Sequence, residues 1–212
     1  MNGLFITFEG GEGAGKTTVL KSIMETLQKQ GKKVMATREP GGSAIAEKIR
    51  HIILDPEHNE MDARTEALLY AAARRQHLVE TVLPKLEEGY IVLCDRFIDS
   101  SIVYQGVARG IGVEEVRQMN LFATDGLMPH LTCYVDIEPT IGLKRIEGHK
   151  GREYNRLDQE EIDFHFMVRR AYQKLASEEP TRIKTIDGGE SLESVVQHTY
   201  HVIEQFLNKG DC

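Results

Sequence analysis

Nothing in the chain approaches the ~20 consecutive apolar residues that a helix needs to cross a bilayer, so no membrane-spanning helix is expected. The first residues run almost at once into a strand-like segment, leaving no room for a targeting sequence. Cysteine is scarce. Cys94, Cys133 and Cys212 form no C-x-x-C and are odd in number, which points to the reducing cytoplasm rather than a disulfide framework. Cys94 and Cys133 fall in apolar runs, where cysteine acts as a small buried hydrophobe. Positive charge is not in excess either. A formal net charge of −7 argues against nucleic acid or an anionic membrane as the main partner. There is no repeat, low-complexity tract or Ser/Pro linker, and no nucleophilic triad or His–carboxylate pair is expected from the sequence pattern. What remains is an ordinary globular composition, 41% hydrophobic and 28% charged over 212 residues, enough for one well-formed core.

The chemistry that is present starts at Gly10-Gly11-Glu12-Gly13-Ala14-Gly15-Lys16-Thr17. This segment follows the apolar run 4–8 and leads through Thr18 into a helix-compatible stretch. The spacing is that of the phosphate-cradling loop G-x-x-x-x-G-K-[ST], in its strand–loop–helix context. Glycines let backbone N–H groups converge on one anion without Cβ clashes, and the helix N-terminus adds positive partial charge. Lys16 offers a mobile point charge to terminal phosphates, and the Thr17 hydroxyl can ligate Mg²⁺. A nucleoside triphosphate is the expected ligand.

Strand-like runs at 4–8, 33–37, 90–94, 131–136 and 183–186 alternate with longer helical patterns. Their near-continuous apolar character suits a parallel sheet buried on both faces, with helical crossovers between strands. One α/β domain over 1–212 is expected: a five-stranded parallel sheet with helices on both faces. A helix from 62 to about 83 should turn Leu68, Ala71, Ala72, Val79 and Val82 inward and end or kink at Pro84. Tyr70 and Arg74, four apart, should share a face distinct from that stripe. The last helix should open near Ser191 and bury Leu192, Val195, Val196, Val202, Ile203 and Phe206. His198 and His201 lie opposite as solvated side chains, without a third metal ligand. Arginines gather locally at Arg38, Arg50, Arg74-Arg75, Arg96 and Arg152/Arg156, which suits a small polyanion in a cleft. Arg75 and Arg109 read as solvated. Asn208-Lys209-Gly210-Asp211 spells the guanine-reading N-K-x-D, but it follows a helix and no D-x-x-G accompanies it, so chance is the better account.

A second constellation follows the third strand. Asp95 ends it, in the position where phosphate-loop folds place a metal-holding carboxylate. Asp95-Arg96-Phe97, Ser100-Ser101 and Tyr104-Gln105-Gly106 resemble the signature of the thymidylate kinase family. So do Phe8-Glu9-Gly10 and Thr37-Arg38-Glu39-Pro40-Gly41-Gly42. Residues 65–74, ending in Tyr70, Ala71, Ala72, Ala73 and Arg74, match the family's substrate helix, and Arg156-Leu157-Asp158 sits where it has its lid. The resemblance runs from about residue 4 to 172.

That resemblance implies transfer of the terminal phosphoryl group of ATP to dTMP, with Mg²⁺, by a homodimer. Arg96 would grip the dTMP phosphate with its planar fork. Asp95 and Thr17 would serve the metal. Glu39 would order the metal's water shell or the sugar hydroxyl, with Pro40, Arg50 and Ser101 in the same acceptor wall. Gln105 would read the thymine edge, though a turned amide fits cytosine as well. Arg74, donor-only, would resolve that ambiguity. Tyr70 would stack on the base, and Tyr104 would lie under the deoxyribose. A cationic lid within about 147–157 would bring Arg152, more than Arg156, to the transferring group, because Glu12-Gly13-Ala14 supplies no cation of its own. Another nucleoside monophosphate kinase, or a deoxynucleoside kinase with Glu39 as base, is the alternative on the same scaffold.

Overall fold

The computed structural model describes residues 3–148 and 156–209. Five strands are formed: β1 Leu4–Glu9, β2 Val34–Arg38, β3 Ile91–Asp95, β4 Leu131–Asp136 and β5 Ile183–Asp187. All lie within one residue of the expected runs at each end. They pair in parallel in the order β2-β3-β1-β4-β5. The helices in chain order are α1 Lys16–Lys29, α2 Ala44–Leu54, α3 Ala63–His77, α4 Leu83–Glu87, α5 Ile98–Ser101, α6 Val113–Thr124, α7 Pro139–Glu147, α8 Ile162–Glu178 and α9 Leu192–Lys209.

Strand side chains alternate between faces, so an apolar run buried on both sides feeds two cores. Phe5, Val92 and Tyr134 join Tyr172 and Leu175 of α8 in one layer. Ile6, Leu93 and Val135 join Val19 and Ile23 of α1 with Val195 and Ile203 of α9 in the other. Leu192 departs from the expected α9 stripe and is exposed, standing at the first position of the helix. His198 and His201 are exposed, as expected.

The helix around residue 70 differs more. Ala71 and Val82 are buried, but Leu68, Ala72 and Val79 are exposed. The inward face carries Glu66, Ala67, Arg74 and His77 instead. This helix covers a polar cleft rather than an oily core, so its hydrophobic side looks outward. Pro84 does not end the helical path. A π-helical turn at Leu78–Val82 leads into α4, where Pro84 sits in the first turn and its missing N–H costs nothing. Because β3 lies between β2 and β1, the chain leaving all three carboxyl ends converges on one crevice. Ligands of open parallel sheets bind there.

Candidate active site

The loop after β1 packs against α7 at backbone distance. Gly13 has φ +70°, and a Cβ there would stand 2.0 Å from the Gly142 carbonyl oxygen. Only glycine on both sides permits that approach. Within the loop, Lys16 Nζ donates to the carbonyls of Gly10 at 3.0 Å and Gly11 at 2.9 Å. Burial, with the Arg96 charge second, lowers its pKa to about 8. The Thr17 hydroxyl donates to Asp95 Oδ2 at 2.5 Å. A hydroxyl and a carboxylate side by side are hard oxygen donors, the few-ligand set that suits Mg²⁺ with waters and substrate phosphates.

The lowered Lys16 pKa has a measurable consequence. Below pH 8 the ammonium is already charged. Above it, the free protein loses that proton, while bound phosphates favour the charged form. ATP affinity is therefore expected to fall as pH rises past 8, by at most about tenfold per unit. Titration calorimetry in buffers of different ionisation enthalpy should report proton uptake at pH 9 and little at pH 7. Proton-neutral binding at pH 9 would contradict this.

Arg96 follows β3 with φ +69°, a left-handed conformation that costs a non-glycine residue about 1–2 kcal/mol. Its N–H donates to the Phe8 carbonyl at 3.0 Å, and the next amide, Phe97 N, donates to Glu9 Oε1 at 2.7 Å. Glu9 Oε2 also accepts from Ser100 Oγ at 2.5 Å and Tyr172 Oη at 2.7 Å. These bonds impose the turn. Burial, with the Asp99 charge, raises the Glu9 pKa to about 7. Arg96 itself reaches Ser100 Oγ at 3.2 Å and Glu12 Oε1 at 2.5 Å, and it lies 5.0 Å over the Tyr104 ring. Glu9 was legible only as part of a motif; its role as clamp was not.

Across the crevice α3 presents Glu66, Tyr70 and Arg74 at i, i+4 and i+8, one helix face. Arg74 is 2% exposed, so the face it shares is buried rather than separate from the core. Its Nε donates to Glu39 Oε2 at 2.7 Å, NH1 to Ser101 Oγ at 2.9 Å and to Asn120 Oδ1, and NH2 to the Phe97 carbonyl at 3.0 Å. Four of five guanidinium hydrogens are thus used, leaving one for a ligand. Glu39 is committed as well, its other oxygen meeting His77 Nδ1 at 2.9 Å, while His77 Nε2 meets Thr37 Oγ1 at 2.7 Å. Glu39, His77 and Cys94 come close enough to suggest a metal cage. Their donor set does not fit one. The carboxylate is already paired, and burial holds the Cys94 thiol well above its usual pKa, with its hydrogen given to the Arg96 carbonyl.

A π-helical turn at Ile102–Ala108 carries Tyr104 and Gln105. Its wider coil lets these consecutive residues both reach the cleft. Tyr104 Oη donates to Glu12 Oε1 at 3.2 Å, and Gln105 Nε2 donates to Glu66 Oε1 at 2.8 Å. Burial, with the Glu66 charge, pushes the half-buried Tyr70 phenol up. Arg50 donates to the Pro40 carbonyl at 3.3 Å.

Arg156 is placed differently from expectation. It is 6% exposed and donates to Glu66 Oε2 and, at 3.1 Å, to the Ile53 carbonyl, outside the main cleft. A carboxylate as buried as Glu66 requires this countercharge. Arg109, expected in solvent, is drawn in for the same reason and pairs with Glu160 at 2.6 Å and Glu66 at 3.4 Å. Arg152 and the lid core at 149–155 lie outside the described residues. Lys144 and Arg145 of α7 also line the cleft, with Arg145 donating to the Gly188 carbonyl at 3.1 Å. Nothing in their spacing marked them.

One cavity of about 830 Å³ joins these parts. Its walls run from Glu12–Thr18 past Asp95 and Arg96 to Glu39, Pro40, Arg50, Tyr70, Arg74, Ser101, Tyr104 and Gln105. A parallel sheet with a glycine anion nest after its central strand, facing a cationic wall, places the chain among the P-loop nucleotide-binding proteins. The narrower assignment follows from comparison. A family profile described as Thymidylate kinase matches residues 8–199. The thymidylate kinase of Oceanobacillus iheyensis is 60% identical, over 100% of this chain and 94% of that one. That of Bacillus licheniformis is 56% identical over 99% of both. The crystal structure of thymidylate kinase from Ehrlichia chaffeensis superposes with a TM-score of 0.76 at 30% identity, covering 96% of this chain and 99% of that one. The chain belongs to the thymidylate kinase family.

Proposed function

We propose that the protein transfers the terminal phosphoryl group of ATP to dTMP, giving ADP and dTDP for dTTP synthesis. The observation that carries this reading is one cleft lined by Lys16 and Thr17 of the phosphate loop, by Arg96 held against Glu12 of the same loop, and by Arg74 and Gln105 beyond it. Two phosphorylated molecules fit there end to end. The names of the similar relatives support dTMP as acceptor.

The acceptor needs no base. A phosphate monoester has a second pKa of about 6 and meets the donor as a dianion near neutrality. Alignment and charge neutralisation then supply the rate. The nest 10–18 holds the donor phosphates, Lys16 leaves the loop carbonyls for the terminal phosphates, and Arg96 grips the acceptor phosphate. Thr17 and Asp95 would hold Mg²⁺, which when bound offsets donor phosphate charge. Arg152, outside the described residues, would add a further cation from a lid whose closure would exclude water. Tyr70 stacks on the base, Gln105 and the last Arg74 hydrogen read its edge, and Tyr104 crowds a 2′-hydroxyl. Glu39, with Pro40, Arg50 and Ser101, shapes the acceptor wall. A coupled ADP-release assay tests the reading. Release should depend on dTMP and stay near background with thymidine or dCMP. Thymidine outpacing dTMP would overturn it in favour of a nucleoside kinase.

The reading includes a homodimer working in the cytoplasm. Ile45 and Ile52 of α2, Leu68 of α3, Val79 of the π-helical turn that follows it, and Leu121 and Phe122 of α6 are exposed, with Phe122 at 91%. A solvent-facing apolar set of this extent suits a self-complementary interface. Both described cysteines are free and buried, and no described helix is long and apolar enough to cross a membrane. Phe122→Glu should shift the sedimentation coefficient from dimer to monomer. A wild-type protein that sediments as a monomer at micromolar concentration would exclude the interface.

A further inference from the structure

An amide alone cannot separate thymine from cytosine. It presents an oxygen and an N–H side by side, and turning it over exchanges them, matching either base edge. In this fold the Gln105 amide is not free to turn. Its Nε2 donates to Glu66 Oε1 at 2.8 Å, with Gln105 2% and Glu66 1% exposed. Glu66 is fixed in turn. Arg156 NH2 donates to its Oε2, and Arg109 stands 3.4 Å from both oxygens. A carboxylate salt-bridged to two guanidiniums accepts hydrogen bonds and has none to give. Were Gln105 turned over, its carbonyl oxygen would face that carboxylate, acceptor against acceptor, where water cannot intervene.

We propose that Glu66 sets pyrimidine specificity by locking the Gln105 amide in its thymine-reading orientation. The inference rests on the placement of Gln105 at the base proposed above. In the locked form the oxygen meets the thymine ring N–H, and the second amide hydrogen meets the adjacent carbonyl. Cytosine offers an acceptor and an amino group at those two positions and mismatches both. Arg74 adds to this with only its one remaining hydrogen, so the lock carries a separate share of the discrimination. Glu66 touches no substrate; it is a positioning residue. It also lies four residues before Tyr70, on the helix face already pointing to the cleft.

The test is the ratio of kcat/KM for dTMP to that for dCMP in Glu66→Gln. An amide at position 66 can donate as well as accept, so it tolerates either orientation of Gln105. The ratio should fall about tenfold or more, the scale set by one unmet buried acceptor. Both substrates sample the same folded molecules, so a merely structural loss leaves the ratio unmoved. A ratio within twofold of wild type overturns the lock. Should Glu66→Gln not fold, hydrogen exchange at the Gln105 side-chain amide of the wild-type protein decides, its signals assigned by their loss in Gln105→Ala. Without dTMP, one of the two hydrogens should be protected. Free exchange of both overturns the lock. Gln105→Ala also separates the two levels of the argument: it should weaken dTMP and spare ATP in binding titrations. Equal weakening would remove Gln105 from the base pocket and sink the underlying reading instead.

Discussion

Arg96→Ala is expected to lower kcat/KM for dTMP about a thousandfold while ATP binding stays within a few-fold of wild type. A charge-stabilising donor lost from a preorganised site costs about 10²–10³ in rate, and here the loss has a second part. Glu12 Oε1 lies 2.5 Å from the guanidinium. Without Arg96 that carboxylate keeps its Tyr104 hydrogen bond but loses the guanidinium charge beside it, and it then repels an incoming dianion more strongly. Arg96→Lys should recover only part of the rate, because a point charge cannot supply two parallel N–H groups. The φ of +69° gives a structural control. Arg96→Gly removes the same fork but relieves left-handed strain, so it should melt higher than Arg96→Ala by the equivalent of about 1 kcal/mol. Steady-state kinetics with dTMP varied, beside a thermal melt of both variants, checks the whole set. Turnover of Arg96→Ala within tenfold of wild type would remove Arg96 from the acceptor phosphate.

The donor half of this site was open to reading because its parts are contiguous. Eight consecutive residues, their strand and their helix carry the nest, and no long-range contact is needed to recognise it. The inner strands β1, β3 and β4 were equally plain, since burial on both faces leaves a continuous apolar run, whereas the edge strands β2 and β5 are only partly buried and carry polar residues. The opposite wall of the cleft converges from the turns after β2 and β3, from α3 and α5 and from the π-helical turn at Ile102–Ala108, and sequence order conceals which of those side chains meet. Hydrophobic periodicity then misleads on α3 and the π-helical turn that follows it. It orients Leu68 and Val79 inward, whereas the helix turns them out and buries Glu66, Arg74 and His77. Glu66 had a local signal, standing four residues before Tyr70. Asn120, the partner of Arg74 from α6, had none, and neither did the π-helical turn that aims Tyr104 and Gln105 together.

Arg74 is where the sequence-based role and the observed one diverge most, and Arg74→Met tests the difference. A side chain acting only as a base reader would change kinetics and leave stability alone. This one holds Glu39 of the β2 loop, Ser101 of α5, the Phe97 carbonyl and Asn120 of α6 in one buried junction. Methionine fills much of the volume but supplies no donor. Among the described residues the Glu39 carboxylate, 5% exposed, would then keep only His77. Breaking a buried ion pair from one side costs about 3–5 kcal/mol. For a chain of this size that lowers Tm by roughly 10 °C. Dimming the charge on the other side should return part of the loss: Arg74→Met with Glu39→Gln is expected to melt above Arg74→Met alone, since the stranded carboxylate is gone. Kinetics should move too, with KM for dTMP rising more than KM for ATP. Calorimetric melts of the two variants decide the point. A single variant melting within 3 °C of wild type would mean that the junction is held by packing around Phe97, and that Arg74 serves the base alone.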